Sequence, residues 1–76
     1  MNCYICGKDV EVIKLSDSEE IPCPDCSLYR ISGTAIALFK RHNWRFNMEL
    51  ARRWIASQQG SGTVPLIDSS RAAILL

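Results

Sequence analysis

The residues best suited to chemistry are four cysteines in two close pairs, Cys3-Tyr4-Ile5-Cys6 and Cys23-Pro24-Asp25-Cys26, separated by sixteen residues. A two-residue gap lets one tight turn aim both sulfurs at a single ion. The turn amides then point at the sulfurs and offset their charge. Gly7, directly after the first pair, suits the left-handed backbone that such a turn requires. Pro24 presets φ inside the second pair, but Ser27 stands where the matching glycine is expected. The spacing falls in the window of tetrathiolate zinc sites, and the reading is one structural Zn²⁺ held by Cys3, Cys6, Cys23 and Cys26. Two disulfides, or one redox-active pair, are the competing uses of the same residues. With four protein ligands no position is left for water or substrate, so the metal is expected to hold the fold and not to catalyse.

A chain of 76 residues buries only about 60 % of its unfolded surface, so the expectation is one small domain that needs a staple. Apolar residues make up 47 % and charged ones 22 %, which excludes a disordered chain. The net charge of +1 is unevenly spread: residues 1–29 sum to −4 and residues 30–76 to +5. No basic segment followed by an apolar stretch opens the chain. No uninterrupted apolar run, residues 35–39 included, approaches the roughly 18 needed to span a bilayer, and a soluble cytoplasmic protein with no membrane partner is expected.

The elements that must position the cysteines read as follows. Residues 9–15 are β-branched and partly alternating, hence a short strand, and residues 16–20 are a solvated turn. Residues 28–31 form a second strand, so that each cysteine pair sits at a strand end. Ser32 or Thr34 caps a helix over residues 35–42, with Ala35, Leu38 and Phe39 along one side. After a connector at 43–46, Asn47 caps a second helix that runs to Gln59 and is stopped by Gly60-Ser61-Gly62. Its apolar stripe is Leu50, Ala51, Trp54 and Ile55, with Glu49, Arg52, Arg53 and Ala56 mostly opposite. Residues 63–67 are extended, and Pro65 keeps them out of the middle of a sheet. Asp68 or Ser69 caps a last short helix over 70–76, whose apolar end either folds back on the core or serves a homodimer or partner contact.

Cys3-x-x-Cys6-Gly7 with Cys23-Pro24-x-Cys26 resembles the zinc ribbon family over about residues 1–32. The resemblance implies four zinc ligands at these cysteines and an association with nucleic-acid or protein binding. The segments 29–35, Trp54-Ile55 and Pro65-Leu66-Ile67 are similar to small ribbon-headed modules of uncharacterised bacterial and phage proteins. The expected fold is a small α+β metal-stabilised domain over 1–76. It comprises an N-terminal ribbon with short β-hairpins (1–32), two helices (33–59), and an extended segment with a short terminal helix (60–76).

Catalysis is not expected, because the cysteines are committed to metal and His42 stands alone in a basic stretch. The expected function is a non-enzymatic protein-binding module that occupies a partner's surface, with Arg41, Trp44, Arg45, Arg52 and Arg53 as partner-binding residues. If the chain is phage-borne, an inhibitor of host machinery such as a defence complex fits this reading. The alternative is nucleic-acid binding by the basic region of Arg30 and residues 40–53, where Trp44 and Phe46 offer stacking platforms.

Overall fold

A computed structural model describes residues 2–58, 62 and 64–76. Among them the elements are, in order, β1 (Ile13–Lys14), β2 (Ser18–Cys23), β3 (Ser27–Ser32), α1 (Gly33–Arg41), α2 (Met48–Ser57), β4 (Leu66–Ile67) and α3 (Ser69–Ile74). The strands form one sheet in that same order; β1–β2 and β2–β3 are antiparallel and β3–β4 is parallel. The result is the expected small α+β fold, with short helices and the cysteines gathered near its N-terminal end.

Alternation on β3 decides where the core lies. Tyr29 and Ile31 have no exposed surface, and they meet Ile21 of β2 and Ile67 of β4, equally buried, on the same side of the sheet. Ala35 and Ile36 of α1, Ala51 and Ile55 of α2, and Ala72 of α3 close the core from above. On the outer face Glu20 and Arg30 stand opposite each other and pair at 3.0 Å.

The turn expected at residues 16–20 is only partly a turn, since Ser18, Glu19 and Glu20 already belong to β2. Conversely, the strand expected over 9–15 shrinks to Ile13–Lys14. Two consecutive glutamates disfavour a strand intrinsically, but each finds a partner: Glu19 accepts from the Tyr4 hydroxyl at 2.8 Å and Glu20 from Arg30. Pro22 is tolerated because β1 pairs only with Glu19 and Glu20, leaving that side of β2 open beyond them.

All three helices start on side-chain caps: Ser32 accepts from the Ala35 amide, Asn47 from Leu50 and Asp68 from Arg71. Asn43, with φ 53°, takes the left-handed position just past α1. α2 ends at Ser57 with Gln58 as its cap; Gln59, Gly60 and Ser61, read as its end and stop signal, lie outside the described residues, as does Thr63. β4 takes the sheet edge, where Pro65 belongs. The terminal helix folds back on the core through Ala72 and Leu75, and the Leu75 carbonyl accepts the Asn47 amide at 2.8 Å.

The stripe on α2 is rotated from the expected one. Ala51 and Ile55 are fully buried, but Leu50 is 40 % exposed, while Arg52, expected on the outer side, is half-buried against the cysteines. Arginine carries a long apolar stem that can cross the flank of a core, and its head finds an anionic partner there.

Candidate metal centre

Each cysteine pair is the turn of a hairpin. The first lies between Asn2 and Asp9, which form an isolated antiparallel bridge; Cys3 accepts the Gly7 amide at 3.0 Å and donates its own amide to Lys8 at 2.8 Å. The second closes β2 on β3, with Cys23 paired to Ser27. The residue after each pair is left-handed: Gly7 has φ 77° and Ser27 has φ 73°. The second turn therefore uses the backbone geometry of the first without its glycine.

The hairpins bring the four sulfurs within 4.8 Å of one another. Cys6 and Cys23 are 3.5 Å apart and Cys3 and Cys26 4.0 Å, and all four are free thiols. A tetrahedron whose corners lie about 2.3 Å from its centre has edges of roughly 3.8 Å, which these two distances bracket. Cys3, Cys23 and Cys26 are buried and Cys6 is partly exposed.

The charge of the site tests the same idea. Without a cation, burial pushes the Cys26 thiol up to about 12, against the pull of Arg52, and raises Cys23 as well. At Cys6 burial also acts upward, but the Lys8 amide and the neighbouring thiols outweigh it and bring the group down to about 7. Four thiolates cannot share this volume unless a positive ion sits among them, and an all-sulfur donor set suits a soft or borderline-soft metal.

Two residues complete the surroundings. Tyr29 places its hydroxyl 3.2 Å from Cys3 Sγ and accepts the Tyr4 amide at 3.2 Å. Burial, reinforced by Cys3, holds the phenol above its ordinary range, so it stays protonated and donates to the sulfur. Arg52 donates from Nε to Cys26 Sγ at 3.4 Å, and the Ile5 amide donates to Cys3 Sγ at 3.4 Å. Neither side chain stood out in the sequence as part of the site. Tyr29 carried one usable signal: a hydroxyl on the core face of a strand has to find a partner.

The residues expected at a partner surface separate. Arg41 ends α1, exposed; Trp44 stacks on His42 with ring centroids 5.4 Å apart; Arg45 is exposed in the connector. On α2, Arg52 turns to the sulfurs and Arg53 turns to solvent, paired with Glu49 at 2.7 Å. Arg52 is thus part of the surroundings of the cysteines.

Comparison with protein-family models, with curated proteins and with solved structures returned no match. Among the described residues no helix is long and apolar enough to cross a membrane.

Proposed function

We propose that the chain is a non-enzymatic protein-binding module whose four cysteines hold one structural Zn²⁺. When bound, the ion supplies the charge that lets four thiolates coexist, and it ties the two hairpins together. Zinc suits the set because it accepts four sulfurs in a closed tetrahedron, leaving no coordination position for a substrate.

The observation that carries the binding role is an apolar groove between α2 and α3. It is lined by Leu50, Trp54, Ile74 and Leu75, with Arg53 at its rim, and has a volume of about 330 Å³. Ile74 beside it is 62 % exposed. Arg71 lies over the Trp54 ring, 5.1 Å from its centroid. Aromatic and arginine side chains around an apolar slot are the usual anchors of protein interfaces, and a partner that fills this one carries apolar side chains flanked by carboxylates. The +5 charge of residues 30–76 favours the encounter.

Capture from nuclease-treated lysate by the native chain and by Ile74→Asp, both with full metal content, tests the role. A protein retained by the native chain and lost with the variant supports it; equal capture by both, or none by either, rejects it.

A second reading has its own observation. Lys40, Arg41 and Arg45 are exposed and make no ion pair among the described residues, which leaves them free for phosphates. The stacking platform beside them is already half used, because His42 covers one face of Trp44. For that reason the apolar groove ranks first.

A further inference from the structure

We propose that Cys6 is the reactive sulfur of the metal centre, the one at which a soft electrophile with an apolar or aromatic body adds. This rests on the metal reading above and is independent of the docking groove. The two cysteine turns are pseudo-equivalent, and Cys6 and Cys26 hold the same place in them, each second in its pair and each followed by a left-handed residue. Their surroundings are not equivalent. α2 lays Arg52 on Cys26, which is 3 % exposed and receives the guanidinium Nε–H. Cys6 is partly exposed; apart from its fellow cysteines it accepts the Lys8 amide, and the Arg52 guanidinium, whose 3.4 Å hydrogen bond goes to Cys26, acts on it more weakly. The other two sulfurs are closed off as well: Cys3 by the Tyr29 hydroxyl and Cys23 by the amides of Asp25 and Cys26.

A hydrogen bond draws electron density from a metal-bound thiolate, and burial denies it a line of approach. Cys6 is less subject to both. Together with the buried Cys3 it borders a groove of about 550 Å³, within the range of small-molecule sites, whose walls include Tyr4, Phe39, Trp44 and Phe46. Phe39 is in edge contact with Tyr4 at 5.4 Å and tilted against Phe46 at 5.2 Å, so the apolar wall is fixed by its own packing. In the step itself a lone pair of Cys6 Sγ forms a carbon–sulfur bond, the carbon–halogen bond of an alkyl halide breaks, and the halide leaves with the electron pair. No oxidant is consumed. The thioether that results is neutral and would be a weaker metal ligand than the thiolate it replaces.

The test treats the zinc-loaded full chain with substoichiometric iodoacetamide, and in parallel with its N-benzyl analogue, and locates the first adduct by peptide mass spectrometry while zinc release is followed with a chromophoric chelator. Single adducts on Cys6, formed about tenfold faster than on Cys26, are expected, with a larger preference for the benzyl reagent. In Arg52→Met the Cys26 rate should rise toward that of Cys6, and Arg52→Lys should restore part of the difference. First adducts spread over the four cysteines, first adducts on Cys3, Cys23 or Cys26, or chains that pass from none to four adducts with no single product overturn the proposal. The order of labelling in the native chain decides it even if Arg52→Met does not fold. Zinc absent from the starting material rejects the metal reading instead.

Discussion

The Tyr29 hydroxyl, on a strand residue with no exposed surface, lies 3.2 Å from the Sγ of Cys3, twenty-six residues earlier in the chain. One phenol thereby joins the core to the four cysteines, since the ring belongs to the same buried cluster as Ile21 and Ile31 while its oxygen takes the Tyr4 amide and lies against the sulfur. Tyr29→Phe keeps the ring and strips the sulfur of a donor and the amide of its acceptor. The expected cost is about 1–3 kcal/mol of stability and roughly tenfold in zinc affinity. Thermal melting together with chelator competition measures the two separately, and a variant with native affinity shows that the hydroxyl serves the fold alone.

The two left-handed residues after the cysteine pairs give opposite expectations for one kind of change. At Ser27, φ 73° costs a side-chain-bearing residue about 1 kcal/mol, so Ser27→Gly should raise stability by up to that amount, less the greater flexibility of glycine in the unfolded chain. At Gly7, φ 77°, a Cβ meets nothing within 4 Å, so Gly7→Ala should lose about 1 kcal/mol from backbone strain alone. Denaturant titration of the zinc-loaded variants reads both signs.

Removing the metal should abolish cooperative unfolding, because apparent zinc affinities of about 10–16 kcal/mol exceed what a core of this size supplies. A melt unchanged by a strong chelator excludes an essential ion. The pH dependence has a definite sign. With metal present, each ligand must shed its proton; Cys26 at about 12, the raised Cys23 and Cys6 at about 7 are all largely protonated at pH 6. Affinity should therefore climb steeply with pH, by at least about a thousandfold per unit below pH 7 from the three protons these groups release. Chelator competition between about pH 6 and pH 8, roughly one unit either side of the Cys6 value of about 7, distinguishes a steep rise from a flat response, and a flat response rejects thiolate ligation.

What the sequence made legible was whatever depends on local geometry. The spacing of Cys3, Cys6, Cys23 and Cys26 fixes two turns, Ser32, Asn47 and Asp68 can cap the helices that follow them, and Pro65 belongs at a sheet edge; each of these is a statement about neighbours in the chain. Hidden from it was whatever depends on distant partners. Glu19 and Glu20 read as a turn because their side-chain partners, Tyr4 and Arg30, lie 15 and 10 residues away. Arg52 read as a solvated charge because periodicity on α2 counts only hydrophobicity. A sulfur twenty-six residues earlier turned the helix so that an arginine, with its apolar stem, took a place beside Ala51 and Ile55 while Leu50 moved toward solvent.

Neighbours on the terminal helix separate folding from binding. Leu75 is 3 % exposed and its carbonyl receives the Asn47 amide at the start of α2, whereas Ile74 is 62 % exposed at the groove. Leu75→Ala removes buried methyl groups from the junction of α2 and α3 and should destabilise by about 2–5 kcal/mol, seen as a lower melting temperature with zinc stoichiometry unchanged. Ile74→Asp removes nothing from the core and should melt within about 0.5 kcal/mol of the native chain, yet it places a carboxylate where an apolar partner must dock. Sedimentation of the native chain adds a third measurement: a dimer dissociated by Ile74→Asp makes a second copy the occupant of the groove, and a monomer leaves it to a different protein. If Ile74→Asp unfolds the chain as Leu75→Ala does, the exposed side chain belongs to the core after all, and the groove loses its claim to be an interface.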